Sequence, residues 1–136
     1  MRRVTTKSPS FPEVVSDTPL LANTGPVWQV LCGDAGHWRC GLYSPEFERL
    51  DQIKELERHD CPELFLLVRG QVTVVVQRAD GLTAIPLENG RPVLVRGPHS
   101  GYCPDGPGSG TAFVVERDAF ETEYRMINAW SAIEPA

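Results

Sequence analysis

From Val27 onward the chain falls into short apolar runs separated by turn-forming residues. Val27-Trp28-Gln29-Val30-Leu31 and Trp38-Arg39-Cys40-Gly41-Leu42-Tyr43 flank Gly33-Asp34-Ala35-Gly36, the pattern of strand, turn and strand. Ser44-Pro45-Glu46-Phe47 ends the second run. Between Glu48 and Leu56 the apolar residues Leu50, Ile53 and Leu56 recur every third position, but the segment is short for a helix. An irregular loop running into a strand is expected there. Leu64 to Val68 is apolar, Arg69-Gly70 is a break, and Val72 to Gln77 is strongly β-branched, which predicts the clearest strand pair. Ala79-Asp80-Gly81 supplies a hairpin tip, and Leu82 to Leu87 returns with Pro86 marking an edge or an end. Asn89-Gly90 makes a second turn before a strand at Pro92 to Val95. His99 to Gly110, loaded with Gly and Pro, is expected to be a loop, and Thr111 to Glu116 the last clear strand. Beyond it Phe120 and Tyr124 stand four apart, a spacing compatible with one or two helical turns over Arg117 to Arg125.

About eight short strands with regular turn signals and no long helix predict an all-β sandwich or barrel. Residues 1–25 carry Pro9, Pro12, Pro19 and Gly25 among polar residues. They are expected to form an N-terminal arm, extended or disordered, with a short strand at Val14-Val15 and reach enough to lie across a partner subunit. Residues 26–136 are expected to form the barrel, a length sufficient for one core without disulfides. A net charge of −5 disfavours a surface that tracks phosphates, so nucleic acid is not an expected partner. The basic start, Met1 to Lys7, runs into Ser8-Pro9-Ser10-Phe11-Pro12 rather than an apolar stretch. No secretory signal and no membrane span are therefore expected, and a cytoplasmic location is. Cys32, Cys40, Cys61 and Cys103 fit no zinc-ribbon spacing. Cys32 and Cys40 are expected to be buried apolar thiols.

The chemistry concentrates in Glu57-Arg58-His59-Asp60-Cys61-Pro62-Glu63, followed by an apolar run to Gly70. In an extended chain Glu57, His59, Cys61 and Glu63 share one face unless a bulge intervenes. Two carboxylates, an imidazole and a thiol are costly in a core, because buried charge must be paired or metal-bound. Function or solvent must account for them.

This stretch resembles the first motif of the cupin family. His59, three residues, Glu63, six residues and Gly70 match its second half, while Glu57 occupies the place of its first His and Asp51 that of an earlier Gly. Gly90 to His99 resembles the second cupin motif, one residue short, with Cys103 where an Asn is usual. The resemblance covers roughly residues 36–117. It implies a jelly-roll barrel (a double-stranded β-helix) whose motif residues hold one divalent metal ion. Carried over, the ligands are His59, Glu63 and His99, with Glu57 as a doubtful fourth. Two imidazoles and a carboxylate suit Fe(II) with open positions for substrate and dioxygen; Mn and Zn also fit.

The expectation is a metal-dependent enzyme of oxygenase, isomerase or cyclase type acting on a small organic molecule, with Glu57, Arg39 and Tyr43 as catalytic candidates. The alternative is a metal-free module that binds or senses a small molecule. His37, Arg39 and Tyr43 alternate on one strand face; if that face points inward, Arg39 can pair with a substrate carboxylate or else snorkel at the rim. His37 is otherwise a surface residue. Cys61 and Cys103 are expected to be packed thiols; the alternative, if the motif strands are neighbours, is that they meet at the pocket mouth as a disulfide, a soft-metal pair or a reactive thiol. A homodimer is expected, because barrels of this size expose sheet edges that an arm can cover.

Overall fold

The structure, a computed structural model, describes residues 1–130. Among them are eleven strands: β1 (Arg2–Thr6), β2 (Trp28–Asp34), β3 (Trp38–Tyr43), β4 (Glu55–His59), β5 (Glu63–Arg69), β6 (Thr73–Arg78), β7 (Gly81–Pro86), β8 (Val93–Val95), β9 (His99–Tyr102), β10 (Thr111–Arg117) and β11 (Phe120–Met126). A 3-10 turn at Leu50–Gln52 and a four-residue helix, α1 (Ile127–Trp130), complete them. All strand pairings are antiparallel. The strands form a six-stranded sheet, β1-β11-β4-β9-β6-β7, and a five-stranded sheet, β2-β3-β10-β5-β8.

The two sheets enclose a core of Phe65, Val72, Val74, Val76, Leu87, Val95, Cys103, Ala112 and Val114. Strand β6 is buried on both faces, as its unbroken β-branched run requires. Val75, in the opposite phase to Val74 and Val76, packs with Ile53, Leu56 and Trp130 in a second cluster. Trp130 closes that cluster and donates its indole N–H to the carbonyls of Leu56 and Arg125. Gly70 turns between β5 and β6 at φ +63°, where a Cβ would stand 2.5 Å from the Ser109 carbonyl oxygen; no other residue fits without moving that loop.

Three segments depart from the pattern expected of them. No strand occurs at Val14-Val15; the N-terminal strand is β1, paired with β11 of the same chain. Residues 120–126 are a strand and not helical turns. Phe120, Thr122 and Tyr124 point one way and Glu121 and Glu123 the other, and a spacing of four satisfies both periods. The segment expected as a loop from His99 begins with β9, whose pairing to β6 fixes the His99 side chain indoors.

Candidate metal centre

Strand β4 presents Glu57 and His59 to the same side, two residues apart. Strand β9 runs beside it with His99 directly opposite Glu57. Glu63 arrives from the other sheet. Asp60, Cys61 and Pro62 connect β4 in the six-stranded sheet to β5 in the five-stranded one, so the expected continuous face is broken at Cys61. Pro62 has no N–H for a ladder, and Asp60 is held by Glu121 through its own N–H and by Arg117 through its carboxylate. Cys61 therefore leaves the face on which it was expected and lines a separate depression with Arg58 and Arg96. Glu63 still meets both histidines, from across the barrel.

Each imidazole is oriented by its Nδ1. That of His99 donates to the Gly97 carbonyl at 2.9 Å, and that of His59 bonds the Thr122 hydroxyl at 2.7 Å. A carbonyl can only accept, so His99 carries its neutral-form proton on Nδ1 and turns Nε2 inward, the usual device for fixing a metal-binding imidazole. His59 Nε2 lies 3.2 Å from Glu63 Oε1 and His99 Nε2 lies 2.6 Å from Glu63 Oε2. Glu57 Oε1 stands 3.7 Å from both Nε2 atoms. Two sets of three residues bring one donor atom each within 4.8 Å: Glu57, His59 and His99, and the wholly buried His59, Glu63 and Glu116.

The charges are strongly coupled. Burial alone would lower His99, but the Glu63 carboxylate, with Glu57 behind it, raises it to about 9. Burial alone would raise Glu63, yet the two imidazoles, His99 foremost, hold it well below the usual carboxylate range. Glu116 is pushed up to about 8 by burial and by the Glu63 carboxylate beside it, with Arg39 pulling the other way. Burial raises the Tyr43 phenol, and Glu57 adds to that. Tyr124 is pushed up to about 12 by burial and by Glu57, to which it is hydrogen-bonded.

These groups line a cavity of about 710 Å³ whose apolar wall includes Trp28, Phe47, Leu56, Phe65, Val114 and Phe120. Arg39 and Tyr43 also face it, while His37 sits exposed in the turn between β2 and β3. The Arg39 guanidinium is already engaged: Nε donates to Glu116 Oε2 at 2.8 Å and Nη1 to the Ser10 carbonyl at 3.1 Å. Arg39 thus faces inward, one of the two arrangements its strand position allows, with its guanidinium held by Glu116 and Ser10. Cys103 is fully buried in the core and donates to the Gly110 carbonyl, away from the depression that Cys61 lines. The sulfurs that do approach are Cys32 and Cys40, cross-strand partners 3.5 Å apart with free thiols.

Glu116 went unrecognised in the sequence. Its signal was its phase, for it continues Ala112 and Val114 on the inward side of β10, where a carboxylate needs a reason. No motif pointed to it.

No family model and no curated protein sequence matches the chain. Among solved structures the chain is similar to HppE in its Fe(II) form, at a TM-score of 0.53 and 16% identity over 77% of this chain and 58% of that one. It is also similar to HppE with an alternative substrate, (S)-1-HPP, at a TM-score of 0.52 and 15% identity over 77% and 57%. Hydroxypropylphosphonic acid epoxidase from S. wedmorenis in complex with fosfomycin gives a TM-score of 0.52 and 15% identity over 84% and 62%. The chain thus spans about three-fifths of the length of these proteins. At such identities the likeness is one of fold. Two facing antiparallel sheets with these neighbours define a cupin-like jelly-roll barrel, as the paired motifs implied.

Proposed function

We propose that the protein is a metal-dependent cupin enzyme acting on a small organic molecule inside the barrel. The observation that carries this is the convergence of His59 Nε2, His99 Nε2 and the Glu63 carboxylate in a buried site, with both Nδ1 atoms committed elsewhere. Glu63 Oε2 and His99 Nε2 are buried 2.6 Å apart with no other hydrogen-bond partner. Two imidazole nitrogens and a carboxylate converging in this way fit a cation. His59, Glu63 and His99 would hold the ion, and Fe(II), the ion named for one structural neighbour, suits them as well as Mn(II) or Zn(II). When bound, it supplies Lewis-acid polarisation or a place for substrate and dioxygen side by side.

The remaining residues bind and orient. Phe65, Phe120 and Val114 exclude water, which strengthens each polar contact inside. Tyr43, hydrogen-bonded to Ser100, and Tyr124, hydrogen-bonded to Glu57, hold protons at the wall and offer hydroxyls to a substrate. Glu57, the more open of the carboxylates beside the two histidines, is placed to take a proton from a substrate at Oε1. Oxygenation, isomerisation and cyclisation all remain within reach of this geometry.

One observation favours the second reading, a metal-free binding module: His99 holding a proton against Glu63 neutralises the pair by itself. Elemental analysis of protein purified without chelators or a histidine tag separates the two. About one equivalent of a transition metal per chain is expected, and a metal-free protein that also takes up no added Fe(II), Mn(II) or Zn(II) would leave only the binding module.

A further inference from the structure

Glu116 is the one carboxylate at this site that neither cupin motif contains. It is 4% exposed and projects from β10, across the barrel from β4. Its two oxygens have different surroundings. Oε2 accepts the Arg39 Nε–H at 2.8 Å, and Oε1 has no hydrogen-bond partner, buried 4.0 Å from His59 Nε2. Among the described residues four buried side-chain N or O atoms are unpartnered. Three of them, Glu63 Oε2, His99 Nε2 and Glu116 Oε1, belong to side chains that line the same cavity. A buried carboxylate oxygen without a donor is costly unless a proton or a cation satisfies it.

We propose that Glu116 is the fourth metal ligand, binding through Oε1 while Arg39 clamps Oε2. The inference rests on the metal-dependent reading above. The family motif points instead to Glu57 in this role, and the two carboxylates differ in what they lack. The Glu57 side chain is 35% exposed and bonded to Tyr124, so water and the phenol already satisfy it. Glu116 Oε1 is buried and bonded to no hydroxyl. Arg39, fixed from behind by the Ser10 carbonyl, keeps the carboxylate from rotating, and Trp28 and Phe120 pack against its guanidinium. Two imidazoles and two carboxylates leave two positions of an octahedron for substrate and a second small ligand.

The test is titration of metal-free protein with Co(II), Mn(II) and Zn(II), following affinity and the visible d–d spectrum of the Co(II) form. Glu116→Gln keeps an oxygen for Arg39 but weakens the ligand, and it should cost at least tenfold in affinity for all three ions and alter the Co(II) spectrum. Glu57→Gln should cost less than threefold and leave the spectrum close to wild type. If Glu116 serves only to neutralise Arg39, Glu116→Gln lowers the melting temperature of metal-free protein while affinity and spectrum stay unchanged, which overturns the proposal. So does the reverse order of the two variants. Should Glu116→Gln not fold, Arg39→Met/Glu116→Gln removes both buried charges together and is read in the same way. Wild-type protein that binds none of the three ions sinks the metal-dependent reading itself, an outcome distinct from an unaffected Glu116→Gln.

Discussion

Glu63 shows how much one side chain carries here. It spans both imidazoles, one oxygen to each, and is buried by the barrel wall. Glu63→Ala removes a charged donor from inside the site, and metal affinity should fall more than about a hundredfold, beyond the usual cost of losing an outer-shell partner. Competition with a calibrated chelator measures it, and a loss below tenfold would contradict the assignment. His99 sets the pH response. Its folded-state pKa, about 9, lies above the ordinary value of 6.5, so its pairing with Glu63 stabilises the metal-free fold fully below about pH 6.5. That contribution is lost as pH rises through about 9, on the order of 3 kcal/mol at most. Urea midpoints of chelator-treated protein should fall between pH 6.5 and 9.5, and this fall should be smaller in His99→Gln, the remainder coming from Glu116, which is raised to about 8. Metal affinity should rise over the same interval, because the ion displaces the same proton. His59, Glu63 and His99 were legible as candidates because they stand at motif positions. Glu116 was not, since its proposed role rests on Arg39 and Glu63, which no local pattern connects to it.

At the scale of elements, the N-terminal segment is tied to the barrel by Asp118, in the turn between β10 and β11. Its carboxylate accepts hydrogen bonds from the Ser8 hydroxyl, from the Ser10 N–H and hydroxyl at 2.7 Å, and from the Gly36 N–H at 2.8 Å. Burial would raise its pKa, but these donors outweigh it and hold the carboxyl below the ordinary value of 3.8. The sign is that of a depressed carboxylate: its contribution is present above about pH 3.8 and lost as pH falls below that. Asp118→Ala should release residues 2–10, and hydrogen exchange of β1 amides reports it; unchanged protection would show that β1 is held by its ladder with β11 alone. Val4 and Thr6 line the cavity, so release should also open the site. None of this was readable beforehand. Arg2–Thr6 has no apolar alternation of its own and becomes a strand only because β11 offers an edge. The strands β5, β6, β7, β8 and β10, by contrast, were legible, because each buries a β-branched or apolar run between turn residues.

Seen whole, the barrel leaves apolar residues on the outer face of its five-stranded sheet. Leu64 and Leu94, direct cross-strand partners, are 37% and 54% exposed, and Val68 is 53% exposed. A homodimer covering this face is the proposed assembly, since exposed apolar patches on such sheets favour association. Light scattering should give twice the chain mass of 15.0 kDa, and Leu94→Lys should shift it toward the monomer. A monomeric wild type at micromolar concentration contradicts it. The class of fold was legible from turn spacing and from the two motifs, whereas the division into sheets was not. The chain changes sheet at Asp60 to Pro62, inside a stretch that looks like one strand, and only long-range pairing reveals the crossing. That crossing brings Glu63 to His59 and His99 from the opposite side. The most direct test of the metal centre is an anomalous difference map from a crystal of the protein soaked in Mn(II). A single strong peak between His59 Nε2, His99 Nε2 and the Glu63 carboxylate is the result expected. A map with no peak there, or with its strongest peak away from these three residues, would contradict the account.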